Sequence, residues 1–211
     1  SQPTIDKCTI TGNTGPGVEL FSGGNPILTG CTIIANGGSG MEMRPRVAGR
    51  YSFYNSPVLT NCIVAANNGY GLLRGIPTIT NCTIADNQKS GIRDSILTAT
   101  NSIVYFNAGG AEQIVNCTGT VTYSDVQSSY PGAGNIDADP LFADAPGGDY
   151  HLKSQAGRWH PASESWITDD VTSPCIDAGD PATPTASEPE PNGSIINTGA
   201  HGGTTQASKS P

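Results

Sequence analysis

A short frame recurs along the first half of the chain at irregular intervals. Each copy has a proline, a cysteine five residues later, an asparagine after five more, and a glycine four residues beyond it. The four full copies are Pro3/Cys8/Asn13/Gly17, Pro26/Cys31/Asn36/Gly40, Pro57/Cys62/Asn67/Gly71 and Pro77/Cys82/Asn87/Gly91, and a degenerate copy has Leu97, Ser102, Asn107 and Ala111. The separations of 23, 31, 20 and 20 residues are typical of stacked repeats in which loops of variable length join fixed strands.

Apolar and polar residues alternate around each cysteine, which is the period of a β-strand. In one copy Leu59, Cys62 and Val64 are apolar, and Leu72 follows after a glycine-containing bend. The connections are too short for crossover helices, so parallel stacking of two or three short strands per copy is the arrangement that buries these residues. Because Gly and Pro are abundant, we expect almost no helix.

The frame P-x-x-x-N-C-x-I-x-x-N-x-x-x-G-I resembles the right-handed parallel β-helix repeat of polysaccharide lyases and of many exported bacterial proteins. The resemblance covers roughly residues 3–127. It implies an all-β right-handed parallel β-helix, a solenoid of five or six coils. The repeat is specific for the fold and does not assign a chemistry.

From Val121 onward the pattern changes, and three phrases resemble the C-terminal segment that closes such solenoids in exported bacterial proteins. They are NIDADPLF at 135–142, DYHL at 149–152 and SPCIDAG at 173–179. We therefore divide the chain into β-helix coils at 1–127 and an irregular capping segment at 128–211, with a Pro-rich excursion near 181–194. We expect the segment to cover the apolar end of the stack, as a solenoid requires, with Phe142, Tyr150, Leu152 and Ile176.

Four of the six cysteines hold one repeat position: Cys8, Cys31, Cys62 and Cys82. Stacked neighbours in parallel strands lie about 4.8 Å apart and point the same way, which fits poorly with the facing geometry of a disulfide. We interpret the four as a ladder of free thiols, and Cys117 as a candidate to extend it. A thiolate metal site would need paired spacings such as C-x-x-C.

A second column contains asparagines: Asn13, Asn36, Asn67, Asn87 and Asn107. Asparagine tolerates the left-handed backbone of a bend, and its amide can bond to the same residue in the next coil. We interpret this column as structural rather than ligand-binding.

The formal net charge of −8 makes some partners improbable. Nucleic acids and anionic membranes are bound through dense basic patches, so we expect neither partner. No run approaches the roughly 18 apolar residues of a membrane span. The sequence starts at Ser1 within the first copy, without Met or a leader. We interpret it as a piece of a longer exported product, located outside the cell or on its surface.

The insertion from Met43 to Ser56 accounts for the longest separation and concentrates arginine and aromatic residues. These residue types bind carboxylates and stack on sugar rings. The candidate glycan-binding set, including two arginines of later coils, is Arg44, Arg46, Arg50, Tyr51, Tyr54, Arg74 and Arg93. The alternative is a surface loop whose aromatic residues cover the sheet.

Calcium is the one metal for which the sequence offers candidate ligands. Glu19 and Glu42 share a repeat position, and the capping segment contains Asp137, Asp139, Asp144, Asp149, Asp177 and Asp180. Asx turns explain most of the aspartates, and binding of a structural calcium ion is the alternative. No other cofactor is expected. The histidines have neither metal-ligand spacing nor an evident nucleophile partner, so we assign no catalytic residue.

Two functions from different classes follow. The first is a non-catalytic extracellular scaffold, structural or glycan-binding, that assembles head to tail through an open first coil. The alternative is a polysaccharide lyase or glycoside hydrolase that acts on an acidic glycan through the arginine set.

Overall fold

The described part of the chain consists of short β-strands and connecting turns, with no helix. A computed structural model describes residues 2–21, 23–48, 51–108, 112–185 and 187–211. Without a helix, these residues contain no long apolar helix that could cross a membrane.

Three parallel sheets form the body of the molecule. Sheet A contains β1 (Thr4–Asp6), β4 (Ile27–Thr29), β9 (Val58–Thr60), β12 (Thr78–Thr80), β15 (Ile96–Thr100) and β18 (Thr118–Thr122). Sheet B contains β2 (Thr9–Thr11), β5 (Thr32–Ile34), β10 (Ile63–Ala65), β13 (Thr83–Ala85), β16 (Ile103–Tyr105) and β19 (Asp125–Val126). Sheet C contains β3 (Val18–Phe21), β6 (Met41–Arg44), β11 (Leu72–Leu73), β14 (Ile92–Arg93) and β17 (Ile114–Val115).

Each turn of the chain adds one strand to each sheet, which gives a solenoid of about five turns. The expectation of an all-β parallel β-helix is confirmed. Three antiparallel hairpins complete the structure: β7 (Arg46–Ala48) with β8 (Tyr51–Phe53), β20 (Phe142–Asp144) with β21 (Asp149–Leu152), and β22 (Arg158–His160) with β23 (Ser165–Ile167).

The strand register follows the sequence frame. Ile63 pairs with Thr32 on one side and Thr83 on the other, and all three directly follow the frame cysteine. The degenerate copy departs from the frame at its glycine position. Ile114 pairs with Ile92 there, so Gln113 is in register with Gly91. Ala111 lies outside the described residues.

The interior of the solenoid is apolar. The strands of sheets A, B and C point alternate side chains into the solenoid. Three inward side chains from each sheet are fully buried: Leu28, Leu59 and Ile79 in sheet A, Ile33, Val64 and Ile84 in sheet B, and Met41, Leu72 and Ile92 in sheet C. The glycine of the frame has a packing reason, because a side chain at Gly71 would collide with Ile84 and with the carbonyl oxygen of Gly91. The frame is therefore a description of which residues fit inside each coil.

The segment after Val126, which we call the tail, first crosses the end of the last coil and then packs along the side of the solenoid. At the end, Tyr130 packs against the interior cluster and Ile136 forms a parallel bridge with Asp125. Phe142, Tyr150, Leu152 and Ile176 form one cluster with outward-facing residues of sheet B. The prediction that these four cover the apolar end of the stack is therefore wrong. The physical reason is that β10, β13 and β16 are apolar on both faces and need a cover.

Hydrogen bonds fasten the tail to three successive coils at one bend. Asn61, Asn81 and Asn101 occupy this bend with φ near +50°, a left-handed conformation that asparagine tolerates. The bonds run from Asn61 Nδ2 to the carbonyl oxygen of Gly202 (2.7 Å), from Asn81 Nδ2 to that of Asn197 (3.0 Å), and from the amide of Asp180 to Asn101 Oδ1 (2.7 Å). Residues 181–185 and 187–194 are mostly exposed, but Glu188 is buried and accepts bonds from the amides of Asn197 and Gly203.

Asp125 gives the seam between solenoid and tail a pH dependence. Its carboxylate is fully buried and accepts hydrogen bonds from the Cys175 thiol and the Ala138 amide. Burial raises the pKa of Asp125 to about 6. The folded protein therefore binds this proton more tightly than the unfolded chain, so the contribution of Asp125 to stability falls as pH rises from about 4 to about 6.

We expect Asp125→Asn to remove that contribution. The unfolding free energy of the variant, relative to that of the wild type, should therefore increase as pH rises through this window. Urea midpoints measured across the window for both proteins test it. Asp170→Asn, at an exposed position, is the control and should follow the wild type. Parallel pH profiles for Asp125→Asn and the wild type would contradict the assignment.

Candidate functional site

The frame cysteines stack on the inside of the bend between sheets A and B. The amides of Thr32, Ile63 and Thr83 each bond to the carbonyl oxygen of the cysteine one coil earlier. All six cysteines are free thiols. Cys31, Cys62 and Cys82 are buried and Cys8 is exposed, and burial raises the pKa of the Cys31 thiol. A buried thiol with a raised pKa is unreactive.

Cys117 does not extend this column. Ser102 and Ser124 continue it, since Ser102 Oγ accepts from the amide of Cys82 and Ser124 Oγ from that of Ser102. Cys117 belongs to a different bend, where the amide of the next residue bonds to the carbonyl oxygen of Ser95. The register of β18 with β15 fixes this position.

The frame asparagines form a continuous ladder of amides at the bend between sheets B and C. Each side-chain Nδ2 donates to the Oδ1 of the next asparagine at 2.8–2.9 Å, in the order Asn13, Asn36, Asn67, Asn87 and Asn107. Gln113 ends the ladder, because its Oε1 accepts from Asn107 at 2.8 Å. From Asn36 onward the amides are buried, so the described ladder offers no free group to a ligand.

The candidate glycan-binding arginines lie on the outer face of sheet C, which the tail leaves open. Arg44 Nε lies 2.6 Å from Glu19 Oε1 and 3.3 Å from Glu42 Oε1. Arg74 Nη1 lies 3.0 Å from the same Glu42 oxygen. Glu42 is therefore shared by two guanidinium groups, and Arg44 and Arg74 remain about half exposed, at 50% and 45%.

A second cluster on this face surrounds Tyr70. The Arg93 guanidinium lies 5.6 Å and the Lys89 ammonium 5.0 Å from the centre of the Tyr70 ring, within the range of cation–π contacts. Arg93 also approaches Asp94, with Nε 3.6 Å from Oδ2. Phe21 at the other end is exposed and lies 5.7 Å from the Arg44 guanidinium. We call this whole surface the arginine face.

The insertion folds as the β7–β8 hairpin, in which Arg46 pairs with Phe53. Arg46, Phe53 and Tyr54 are exposed beside the arginine face. Arg50 lies outside the described residues, as does the side chain of Tyr51. The structure thus brings Arg44, Arg74 and Arg93 onto one face and places Arg46 and Tyr54 at its margin.

Besides Phe21 and Asp94, two members of the face were not predicted from the sequence, Tyr70 and Lys89. Both lie in the bend that precedes a frame glycine, one coil apart. Tyr70 lies eight and Lys89 seven residues after a frame cysteine, which could have indicated that they are neighbours. Glu19 and Glu42, the candidate calcium ligands of this face, are ion-pair partners of Arg44.

The described residues contain no group of three or more His, Cys, Asp or Glu side chains arranged to hold a metal ion. Several tail aspartates accept hydrogen bonds within their own turns, among them Asp139 from the Leu141 amide, Asp144 from the Gly147 amide and Asp180 from the Ala182 amide. Calcium binding stays a prediction.

A cleft of about 470 Å³ between the tail and sheet B contains His151 and His201. His151 Nδ1 lies 2.6 Å from Asp149 Oδ1, and the two imidazole rings stack with centres 3.6 Å apart. Burial lowers the pKa of His201 to about 3, so this ring is neutral. No described Ser, Thr, Cys or Lys lines the cleft, so His151 and His201 have no adjacent nucleophile to activate there. His160 also lines the cleft, and its Nδ1 lies 2.6 Å from Ser163 Oγ at an exposed site.

The comparison with protein families agrees with the geometry. The model described as "Right handed beta helix region" matches residues 1–139. The chain belongs to the right-handed β-helix family. No curated protein and no solved structure matches this β-helix. The family gives the β-helix its fold and allows either a scaffold or an enzyme-family module, so its function has to be argued from its surfaces.

Proposed function

We propose that this β-helix is a non-catalytic extracellular scaffold whose arginine face binds an acidic glycan. The observation that carries the proposal is the grouping of half-exposed guanidinium groups and aromatic rings on one open sheet. Arginine binds carboxylates through paired N–H donors, and aromatic rings stack on the apolar faces of sugars.

The charge distribution supports an anionic ligand. Among the described residues, four basic side chains lie on the arginine face: Arg44, Arg74, Lys89 and Arg93. Three acidic residues accompany them there, Glu19, Glu42 and Asp94. The face is therefore slightly positive in a chain with a net charge of −8, which favours an anionic polymer at this surface over the rest of the molecule.

The ion pairs hold the guanidinium groups in place before a ligand arrives. Arg44 is fixed by Glu19 and Glu42, and Arg93 by Tyr70 and Asp94. Ordering a long side chain on binding has an entropic cost, which fixed side chains avoid. Arg44, Arg74 and Arg93 come from three successive coils at nearby but different register positions. Their guanidinium groups are therefore spread along the direction in which the coils stack, where an extended chain can meet them.

Calorimetric titration with oligogalacturonate and oligoalginate tests the proposal. We expect Arg93→Ala to weaken binding about tenfold, and Arg93→Lys to recover only part of it, because lysine lacks the paired donors. Lys153→Ala, in the tail, makes the same charge change away from the face and should bind as the wild type does. Equal affinities for Arg93→Ala and Lys153→Ala, or no binding of either polymer, would reject it.

The same samples address the alternative of a polysaccharide lyase or glycoside hydrolase. A lyase would generate unsaturated uronate, which absorbs in the ultraviolet, and a hydrolase would release reducing ends. Binding without either product, with and without added calcium, supports the scaffold. Product formation would show that the arginine face is a substrate subsite.

A further inference from the structure

The outer face of sheet A carries an array of threonines that the functions considered so far do not use. Its six strands point fourteen residues outward, and ten of them are threonine. The ten are Thr4, Thr29, Thr60, Thr78, Thr80, Thr98, Thr100, Thr118, Thr120 and Thr122. The other four are Asp6, Ile27, Val58 and Ile96.

The array is open to solvent. None of the fourteen side chains is buried, and the tail packs on sheet B instead. Val58 and Ile96 are 36% and 50% exposed, so the face presents methyl groups together with hydroxyls. Among the strand residues of sheet A, Asp6 is the one charged side chain on this face, and it lies in the first coil.

The strand register makes the array periodic in two directions. Thr78, Thr98 and Thr120 form one column across the coils, and Thr80, Thr100 and Thr122 form the next. Coils repeat at about 4.8 Å, and the two columns are about 6.7 Å apart, two residues along a strand. Threonine is restricted at χ1, so its methyl and hydroxyl groups repeat with the side chains.

A periodic surface made mainly of hydroxyl and methyl groups is suited to a partner that is itself periodic. Small molecules bind in concave pockets, and no described cleft lies on this face. The sheet A strands carry no aromatic side chain of the kind that stacks on sugar rings. Hydroxyl groups can hold ordered water between them, and methyl groups fill the spaces without binding water strongly.

We propose that the threonine face of sheet A binds ice. The repeats of the hydroxyl columns are comparable to oxygen repeats on the surfaces of hexagonal ice, so waters ordered on this face can join a growing crystal. Apart from Asp6 in the first coil, the outward strand residues of the face are uncharged, which matches the neutral lattice in a protein with a net charge of −8. This site is separate from the arginine face, which belongs to sheet C.

The experiment measures ice shaping and thermal hysteresis of the 211-residue chain in a nanolitre osmometer, and adsorption of fluorescently labelled protein to a single ice crystal. We expect the wild type to shape ice and to adsorb. Thr98→Lys should abolish both effects, because a long charged side chain at the centre of the array keeps the face away from the lattice. Thr78→Lys, one coil earlier, should do the same.

Thr205→Lys is the matched control, because Thr205 is exposed on the tail, and it should keep full activity. Urea midpoints of all variants establish that each is folded. The proposal fails if the wild type neither shapes nor adsorbs to ice, or if Thr98→Lys and Thr205→Lys behave alike. Binding to crystalline cellulose or chitin without adsorption to ice would also overturn it.

Discussion

The Asn67→Leu variant is expected to lose about 4 kcal/mol of unfolding free energy, because buried groups on both neighbouring coils lose their partners. Asn67 Oδ1 accepts from the amide and the Nδ2 of Asn36, at 3.1 and 2.9 Å. Asn67 Nδ2 donates to the carbonyl oxygen of Ile33 and to Asn87 Oδ1, at 3.1 and 2.9 Å. Leucine has a similar size but supplies none of these bonds. Urea unfolding followed by circular dichroism measures the loss.

Asn13→Leu is the control for this prediction. Asn13 begins the ladder, is exposed, and donates its side-chain bond to Asn36 alone. Water replaces that bond at an exposed site, so we expect a loss of about 1 kcal/mol or less. Equal losses at both positions would show that the ladder is not the source of the stability.

Tyr150→Ala is expected to cost about 4 kcal/mol and to release the tail from sheet B. Tyr150 is 2% exposed and packs edge-on against Phe142, with ring centres 5.1 Å apart. Its hydroxyl donates to Asp86 Oδ2 at 3.1 Å. The variant leaves a cavity at the centre of the cluster that joins tail and solenoid. Besides a lower urea midpoint, limited proteolysis should show faster cleavage after Val126.

Tyr150→Phe distinguishes the contribution of the ring from that of the hydroxyl group. It keeps the packing and removes one hydrogen bond to a half-buried carboxyl, so we expect a loss of about 1 kcal/mol and an uncut tail. If Tyr150→Phe were as damaging as Tyr150→Ala, the bond to Asp86 rather than the packing would hold the tail.

The solenoid was predictable because its inward positions repeat. Leu59, Cys62, Val64 and Asn67 have counterparts at fixed offsets in the neighbouring copies, and these offsets are the register of the parallel strands. Only residues inside a coil are constrained in this way. Where a loop is inserted or a frame position is lost, as at Gln113, the offset alone no longer gives the partner.

The place of the tail could not be read from the frame, although one signal was present. The outward positions of sheet B are threonine in β2 but Ile63, Ala65, Ala85 and Ile103 in later coils. Apolar residues on both faces of a strand indicate a second layer. The arginine face was predicted in part. Arg44 and Arg93 lie in strands and Arg74 directly follows one. Tyr70 and Lys89 lie in bends, where the alternation of apolar and polar residues does not predict which way a side chain points.

The bonds from Asn61, Asn81 and Asn101 to the tail restrict how a chain of this kind can change its length. Each bond joins a particular coil to a particular tail residue, so a coil duplicated between Cys62 and Ser102 would displace the later bonds by one coil spacing. A coil duplicated ahead of Cys31 would leave all of them in place. In related chains, gains and losses of coils should therefore accumulate at the N-terminal end of the solenoid, ahead of the coils that these three asparagines join to the tail.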